Sequence, residues 1–279
     1  MCEFCVQHGE GKKWYLQAKN YAQDLLSDVR RRRFIADFFS HPEKLEGESS
    51  SLDKLSRAPG FVQRAIKGLV TRRMKKQHFG QVLPLEDVEE IFGFVNSIVR
   101  VPCICRQVNL GREARYCYGV SMGPGGMGEL LEEVDSSFLS GPETSGFEEL
   151  STAEALESFA EHEREGLCHS VWTFMTPFIG GVCNCDRSDC MAMRATVTHD
   201  VKVMFRAEYV AAVDRDLCVG CRACMRVCQF GAMAYGAAEK KAFVDQTACY
   251  GCGVCRSACE KDAIALRPRG EVEAVARVW

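Results

Sequence analysis

Residues 218–228 read CVGCRACMRVC and residues 249–259 read CYGCGVCRSAC. Both follow Cys-x2-Cys-x2-Cys-x3-Cys, with Cys218, Cys221, Cys224 and Cys228 in the first run and Cys249, Cys252, Cys255 and Cys259 in the second. The second run repeats the first 31 residues on, and the flanks repeat with it: Val213-Asp214 recurs as Val244-Asp245, and Ala232-Met233 as Ala263-Ile264. The segment is therefore a duplicated metal-binding half. A cubane offers four iron corners to four thiolates, so three cysteines on a tight loop take three corners and the fourth comes from elsewhere. Gly220, Gly251 and Gly253 stand between the cysteines, where a chain wrapping a cluster needs dihedrals open to glycine and turns backbone N–H groups toward sulfur. Zinc is the competing reading of clustered cysteines. Two complete runs at one spacing favour iron and sulfur.

From Ala211 to Leu266 the chain resembles the bacterial two-cluster 4Fe-4S ferredoxin family. The resemblance implies a pseudo-twofold fold of paired hairpins and short helices that binds two 4Fe-4S clusters and carries single electrons. It also implies crossed ligation: Cys218, Cys221, Cys224 and Cys259 on one cluster, and Cys249, Cys252, Cys255 and Cys228 on the other. Gln229 and Glu260 follow the fourth cysteines where the family usually has proline. Proline is not a ligand, so this departure bears on rigidity, solvent access and potential rather than on binding. The interval between the runs is short, as in the low-potential clostridial type.

Further upstream, Cys103-x-Cys105 follows Pro102, and Cys183-x-Cys185 follows Gly180-Gly181. On extended chain, residues i and i+2 share a face, so each pair offers two thiolates to one centre. Cys117 and Cys190 are further candidates for this third centre, for which an iron–sulfur cluster is preferred to zinc because the chain already carries such motifs. Cys168 reads as a buried small hydrophobe. The stretch from Leu83 to Arg269 also resembles a group of large ferredoxin-like proteins. Pro102, Cys103, Ile104, Cys105 and Arg106 match that group's Pro-Cys-x-Cys-Arg; Gly166, Leu167 and His169 match its Gly-Leu-x-His; Cys183, Asn184 and Cys185 match its Cys-Asn-Cys. Here Asp186 to Asp189 precede Cys190, where the group often has more cysteines. At the N-terminus Cys2-x2-Cys5-x2-His8 could clasp a metal but lacks the adjacent Cys-His of a haem attachment site.

The 279 residues include 17 cysteines, and 47% hydrophobic with 26% charged residues is a soluble globular composition. An odd cysteine count, tight spacings and no apolar leader point away from disulfides and toward a reducing compartment. Cytoplasmic location in an oxygen-poor cell is the expectation, with no integral membrane segment. The net charge of −3 is uneven: Arg30 to Arg33 and Arg72 to Lys76 are basic runs, whereas Glu129 to Glu165 is acidic against the single cation Arg164. Both read as solvated helix faces. The basic runs lack interleaved aromatics, so no nucleic acid is expected. SMGPGGMG at 121–128 fits neither dinucleotide nor P-loop spacing and reads as a turn.

Apolar spacing predicts a helix over 14–40, with Trp14 and Tyr15 packing at its start, a linker at Glu46 to Ser51, and a second helical stretch to Gly80. Pro84 opens a helix over 85–98, a strand covers 99–106, Ser151 or Thr152 caps a helix reaching Gly166, a strand covers 168–175, and a cysteine-rich loop covers 183–190. The fold class is α+β: a helical N-terminal segment (1–48), a cysteine-rich α/β domain (49–210) and a two-cluster ferredoxin domain (211–279). The function expected is an iron–sulfur electron-transfer protein passing electrons through two clusters and a third upstream cluster to a redox partner. The alternatives are an iron–sulfur reductase whose upstream centre reduces a small substrate or disulfide, with His169 giving a proton or ligating metal and Arg106 holding an anion, and a zinc-stabilised adaptor. No flavin or nicotinamide motif is present, so redox proteins are the expected donor and acceptor.

Overall fold

A computed structural model of the chain describes residues 13–21, 37, 41, 43–77, 79–111, 114–123, 126–127, 131, 147–173, 179–276 and 278. Their helices and sheets agree with an α+β protein. The organising element is a seven-stranded sheet in the order β4-β2-β3-β6-β5-β1-β7. Its strands are β1 (Gly80–Leu83), β2 (Ser97–Val101), β3 (Cys117–Ser121), β4 (Glu148–Leu150), β5 (Cys168–Thr173), β6 (Ile179–Cys185) and β7 (Met204–Phe205). All neighbours run antiparallel except β1 and β7.

Period-two alternation sends neighbouring residues to opposite faces of this sheet. Leu83, Tyr118, Val120, Val171 and Val182 join one core with Trp14, Tyr15, Tyr21 and helices Leu85–Phe94 and Thr152–Arg164. The two helices meet through Phe92 and Phe159, edge to face at 5.1 Å. Val82, Cys168, Trp172, Cys185 and Met204 face the other way and pack with Tyr250 and Cys252 of the C-terminal segment. The sheet is thus helix-covered on one side and metal-motif-covered on the other.

Local chemistry explains where elements begin and end. Ser151 and Glu154 form the expected capping box, the Ser151 hydroxyl accepting from Glu154 N and the Glu154 carboxylate accepting from Ser151 N at 2.8 Å. The run expected as a linker lies instead within helix Glu43–Ser56, and the boundary drawn at 48/49 falls inside it. There the Ser51 and Ser56 hydroxyls are satisfied within the helix, donating to the Gly47 and Leu52 carbonyls four residues back. The segment expected to open a long helix at Trp14 forms two short 3-10 turns, Trp14–Leu16 and Ala18–Tyr21. Tertiary bonds hold them: Trp14 Nε1 donates to Gln81 Oε1 at 2.7 Å and Tyr15 OH to Asp87 at 2.6 Å. Most of the remainder of that expected helix, with Arg30 to Arg33, lies outside the described residues.

The helix from Leu85 stops at Phe94, because β-branched Val95, Ile98, Val99 and Val101 continue as extended chain into β2. The strand expected over 99–106 ends at Val101. Pro102 has no N–H for the ladder, Cys103 takes the N-cap position, and Ile104–Leu110 is helix. Cys105 is therefore helical, not on a strand. The expected loop at 183 is displaced too, since Cys183 and Cys185 end β6.

The C-terminal segment consists of two antiparallel ribbons and two short helices. β8 (Tyr209–Val213) pairs with β11 (Ile264–Pro268), and β9 (Met233–Gly236) with β10 (Lys241–Val244). The helices are Ala223–Val227 and Val254–Ser257. The boundary drawn at 210/211 falls inside β8.

Candidate metal centres

The cysteine runs wrap two cavities, each enclosing about 340 Å³ of space free of protein atoms, open solvent included. One is lined by Cys218, Cys221, Cys224 and Cys259, the other by Cys228, Cys249, Cys252 and Cys255. Each cavity thus has three cysteines of one run and the fourth cysteine of the other in its lining. Burial, then Cys221, Cys259 and Cys218, push the Cys224 thiol up; burial, then Cys252, Cys249 and Cys228, do the same to Cys255.

Two glycines make the loops possible. Gly220 has φ +72° and Gly251 φ +73°, and a Cβ on either would collide with a backbone oxygen, that of Lys240 or Tyr209. Backbone donors complete the cradles: Ala242 N donates to Cys218 Sγ at 3.4 Å, Ala211 N to Cys249 Sγ at 3.5 Å and Ala232 N to Cys228 Sγ at 3.2 Å. Four thiols, close-fitting glycines and N–H groups directed at sulfur suit a cubane, whose sulfurs accept such bonds. The cavities differ in access at one equivalent pair: Cys221 is exposed, whereas Cys252 is partly buried.

Upstream, the sheet register gathers the other thiols on the face that meets the second cavity. Cys117 on β3 pairs with Cys183 on β6, and Cys185 on β6 with Cys168 on β5. Hydrogen-bonding contacts run Cys183 to Cys117, Cys117 to Cys103, Cys103 to Cys105, Cys105 to Cys190 and Cys190 to Cys185. All six thiols proposed for a third centre therefore adjoin in a chain of contacts, which the β6 backbone between Cys183 and Cys185 closes into a ring. Hydrogen bonds from Cys103 and Cys190, with the Arg106 charge nearby, hold the Cys105 thiol well below the usual range. Against a hydrogen bond from Cys117, burial and neighbouring thiols push Cys183 up to about 11. The Ser170 hydroxyl lies 3.3 Å from Cys185 Sγ. Among the described residues no three His, Cys, Asp or Glu side chains converge as the shell of one ion.

Two expected participants stand elsewhere. His169 points to the opposite face of β5 from Cys168, with its ring 5.1 Å from Phe159. Its Nδ1 lies 2.7 Å from Asn184 Oδ1, and Asn184 Nδ2 donates to Tyr116 O, so Nδ1 carries the imidazole proton. Burial pushes its pKa down to about 4. Arg106 is 4% exposed, salt-bridged to Asp186, 3.8 Å from Asp189 and stacked 3.8 Å from the Tyr116 ring. That guanidinium positions its own loops rather than waiting for an anion. Cys2, Cys5 and His8 lie outside the described residues.

Sequence reading missed the position of Cys168. It is fully buried, as a small hydrophobe would be, yet its thiol is in hydrogen-bonding contact with Cys252. That bond, against burial and aided by Val254 N–H, lowers the Cys252 pKa. Gln229, standing where the ferredoxin family has proline, ties the same junction: Nε2 donates to Gly166 O at 2.8 Å, and Oε1 accepts from Arg187 N at 3.2 Å. An amide in place of proline was the available signal.

These ribbons, helices and cavities define the C-terminal segment as a ferredoxin-like module. In agreement, a family model described as a 4Fe-4S dicluster domain matches residues 217–264, which supports 4Fe-4S cluster binding and, with it, iron–sulfur electron transfer by this part of the chain. No curated protein matches the chain. Among the described residues, no helix is long and apolar enough to cross a membrane.

Proposed function

We propose that the chain is an electron-transfer protein with three iron–sulfur stations. Cluster I is held by Cys218, Cys221, Cys224 and Cys259. Cluster II is held by Cys249, Cys252, Cys255 and Cys228. The third centre is held by thiols drawn from Cys103, Cys105, Cys117, Cys183, Cys185 and Cys190. The observation that carries this reading is the packing of Cys168, Cys183, Cys185, Cys190 and Cys252 in one apolar cluster, so that the upstream ring abuts the second cavity. A 4Fe-4S cluster, when bound, takes up and returns one electron. The chain's residues supply what remains: thiolates fix the clusters, backbone N–H groups stabilise added negative charge on sulfur, and burial keeps water from the inner stations. Exposed Cys221 marks cluster I as the end open to a redox partner.

Reductive titration of anaerobic protein with a one-electron donor tests this. It should take up about three electrons per chain, one for each cluster. Uptake of two would remove the third station. The surplus of thiols upstream, six where a cubane needs four, favours a second reading: a reductase whose upstream centre keeps an iron or a dithiol for a small substrate or disulfide. A substrate-dependent change in the upstream centre's spectrum would select that reading.

A further inference from the structure

Cys168, a residue outside the ferredoxin motif, stands where the second cavity meets the seven-stranded sheet. Cys168 is 0% exposed at the start of β5, between Cys185 of the upstream ring and Cys252 of the second cavity. Its position is fixed from both sides. Pairing with Cys185 sets its height on the sheet, and the Gln229 bonds to Gly166 O and Arg187 N hold the Cys228 loop against the same edge. Around it Phe230 stacks on Tyr250 at 4.0 Å, with Met204 and Ala207 beside them, and Arg206 lies over the Tyr250 ring and donates to Cys249 O at 2.8 Å.

The Cys168 thiol donates to the His169 carbonyl at 3.5 Å, and the Cys252 sulfur, packed in the same apolar cluster, is the other acceptor beside it. When Cys252 is an ionised ligand, the charge-assisted bond is the stronger one. Adding an electron to a cluster increases the negative charge on its sulfurs, so a donor to one of them favours the reduced form and raises the potential. In the other half, Cys221 is the counterpart of Cys252 and is exposed.

We infer that Cys168 is a positioning residue for cluster II, donating an S–H bond to Cys252 that holds the potential of this cluster up on the side facing the upstream ring. The inference rests on the cluster assignments proposed above. By favouring the electron at the inner cluster, the bond draws charge from the exposed end of the module toward the upstream centre.

Redox titration of both C-terminal clusters by EPR in Cys168→Ala and Cys168→Ser proteins, with iron counted in each, tests it. Cys168→Ala should make reduction of cluster II about tenfold less favourable, 59 mV for a one-electron couple, and leave cluster I unmoved. Cys168→Ser, which keeps a donor, should recover most of that shift. An unmoved cluster II in Cys168→Ala protein that retains its iron overturns the inference alone. So does an equal shift in both clusters, or a serine variant that shifts as far as alanine. Iron-free wild-type protein overturns the inference and the cluster assignments together.

Discussion

The Asp186 carboxylate closes on the buried Arg106 guanidinium, and each residue directly follows a Cys-x-Cys pair, Cys103-x-Cys105 and Cys183-x-Cys185. One ion pair therefore clasps the helix bearing Cys105 to the strand end bearing Cys185. Asp186 also accepts from Ser188 N and Asp189 N, at 2.9 and 2.7 Å, shaping the turn that delivers Cys190.

Removing that carboxylate leaves the buried guanidinium with Asp189 at 3.8 Å and the Asn184 carbonyl at 3.5 Å to answer it. Asp186→Asn should destabilise the protein by roughly 3 kcal/mol, the low end for breaking a buried pair. Denaturant unfolding under anaerobic conditions measures this. Stability within about 0.5 kcal/mol of wild type, the range of an ordinary surface change, would show that the pair does not clasp the site.

Replacing Cys103 and Cys183 together by serine opens the ring on both sides of Cys117. Iron should fall by about four atoms per chain, with both C-terminal EPR signals retained. Loss of the C-terminal signals instead would place these thiols in a different site.

Gly220 tests the cradle of the exposed cavity. A side chain there is strained at φ +72° and driven against Lys240 O. Gly220→Ala should cost about 1–3 kcal/mol and weaken iron retention at cluster I selectively. Full retention of both signals with unchanged stability would mean that the loop relaxes freely.

His169 sets a pH dependence of folding. Its imidazole, with an ordinary value of 6.5, is pushed down to about 4 by burial, so between these values the unfolded chain binds the proton and the folded one does not. Stability is therefore complete above pH 6.5 and falls as pH drops toward 4, by on the order of 3 kcal/mol. Thermal unfolding of wild type and His169→Gln at pH 7 and pH 5 should show a smaller acid loss in the variant. Equal losses would assign the acid sensitivity to other groups.

Much of this arrangement was legible from spacing alone. Both four-cysteine runs, the glycines between them and the Ser151 capping box depend on chemistry within a few residues, and short-range chemistry is what a linear pattern records. The six upstream thiols were also nameable, although the support of Cys105 was misread because Pro102 ends the strand one residue before Cys103 starts a helix turn. Illegible were the relationships fixed by packing of distant segments: His169 facing Phe159 rather than the thiols, Arg106 already engaged by Asp186, and Cys168 against Cys252. Each depends on which face of a strand a neighbouring element covers, and no local spacing carries that information.

The most direct test of the account is iron and acid-labile sulfide per chain in anaerobically purified protein. Three cubanes predict about twelve of each. A count near eight would contradict the third station, and protein free of both would contradict the account as a whole.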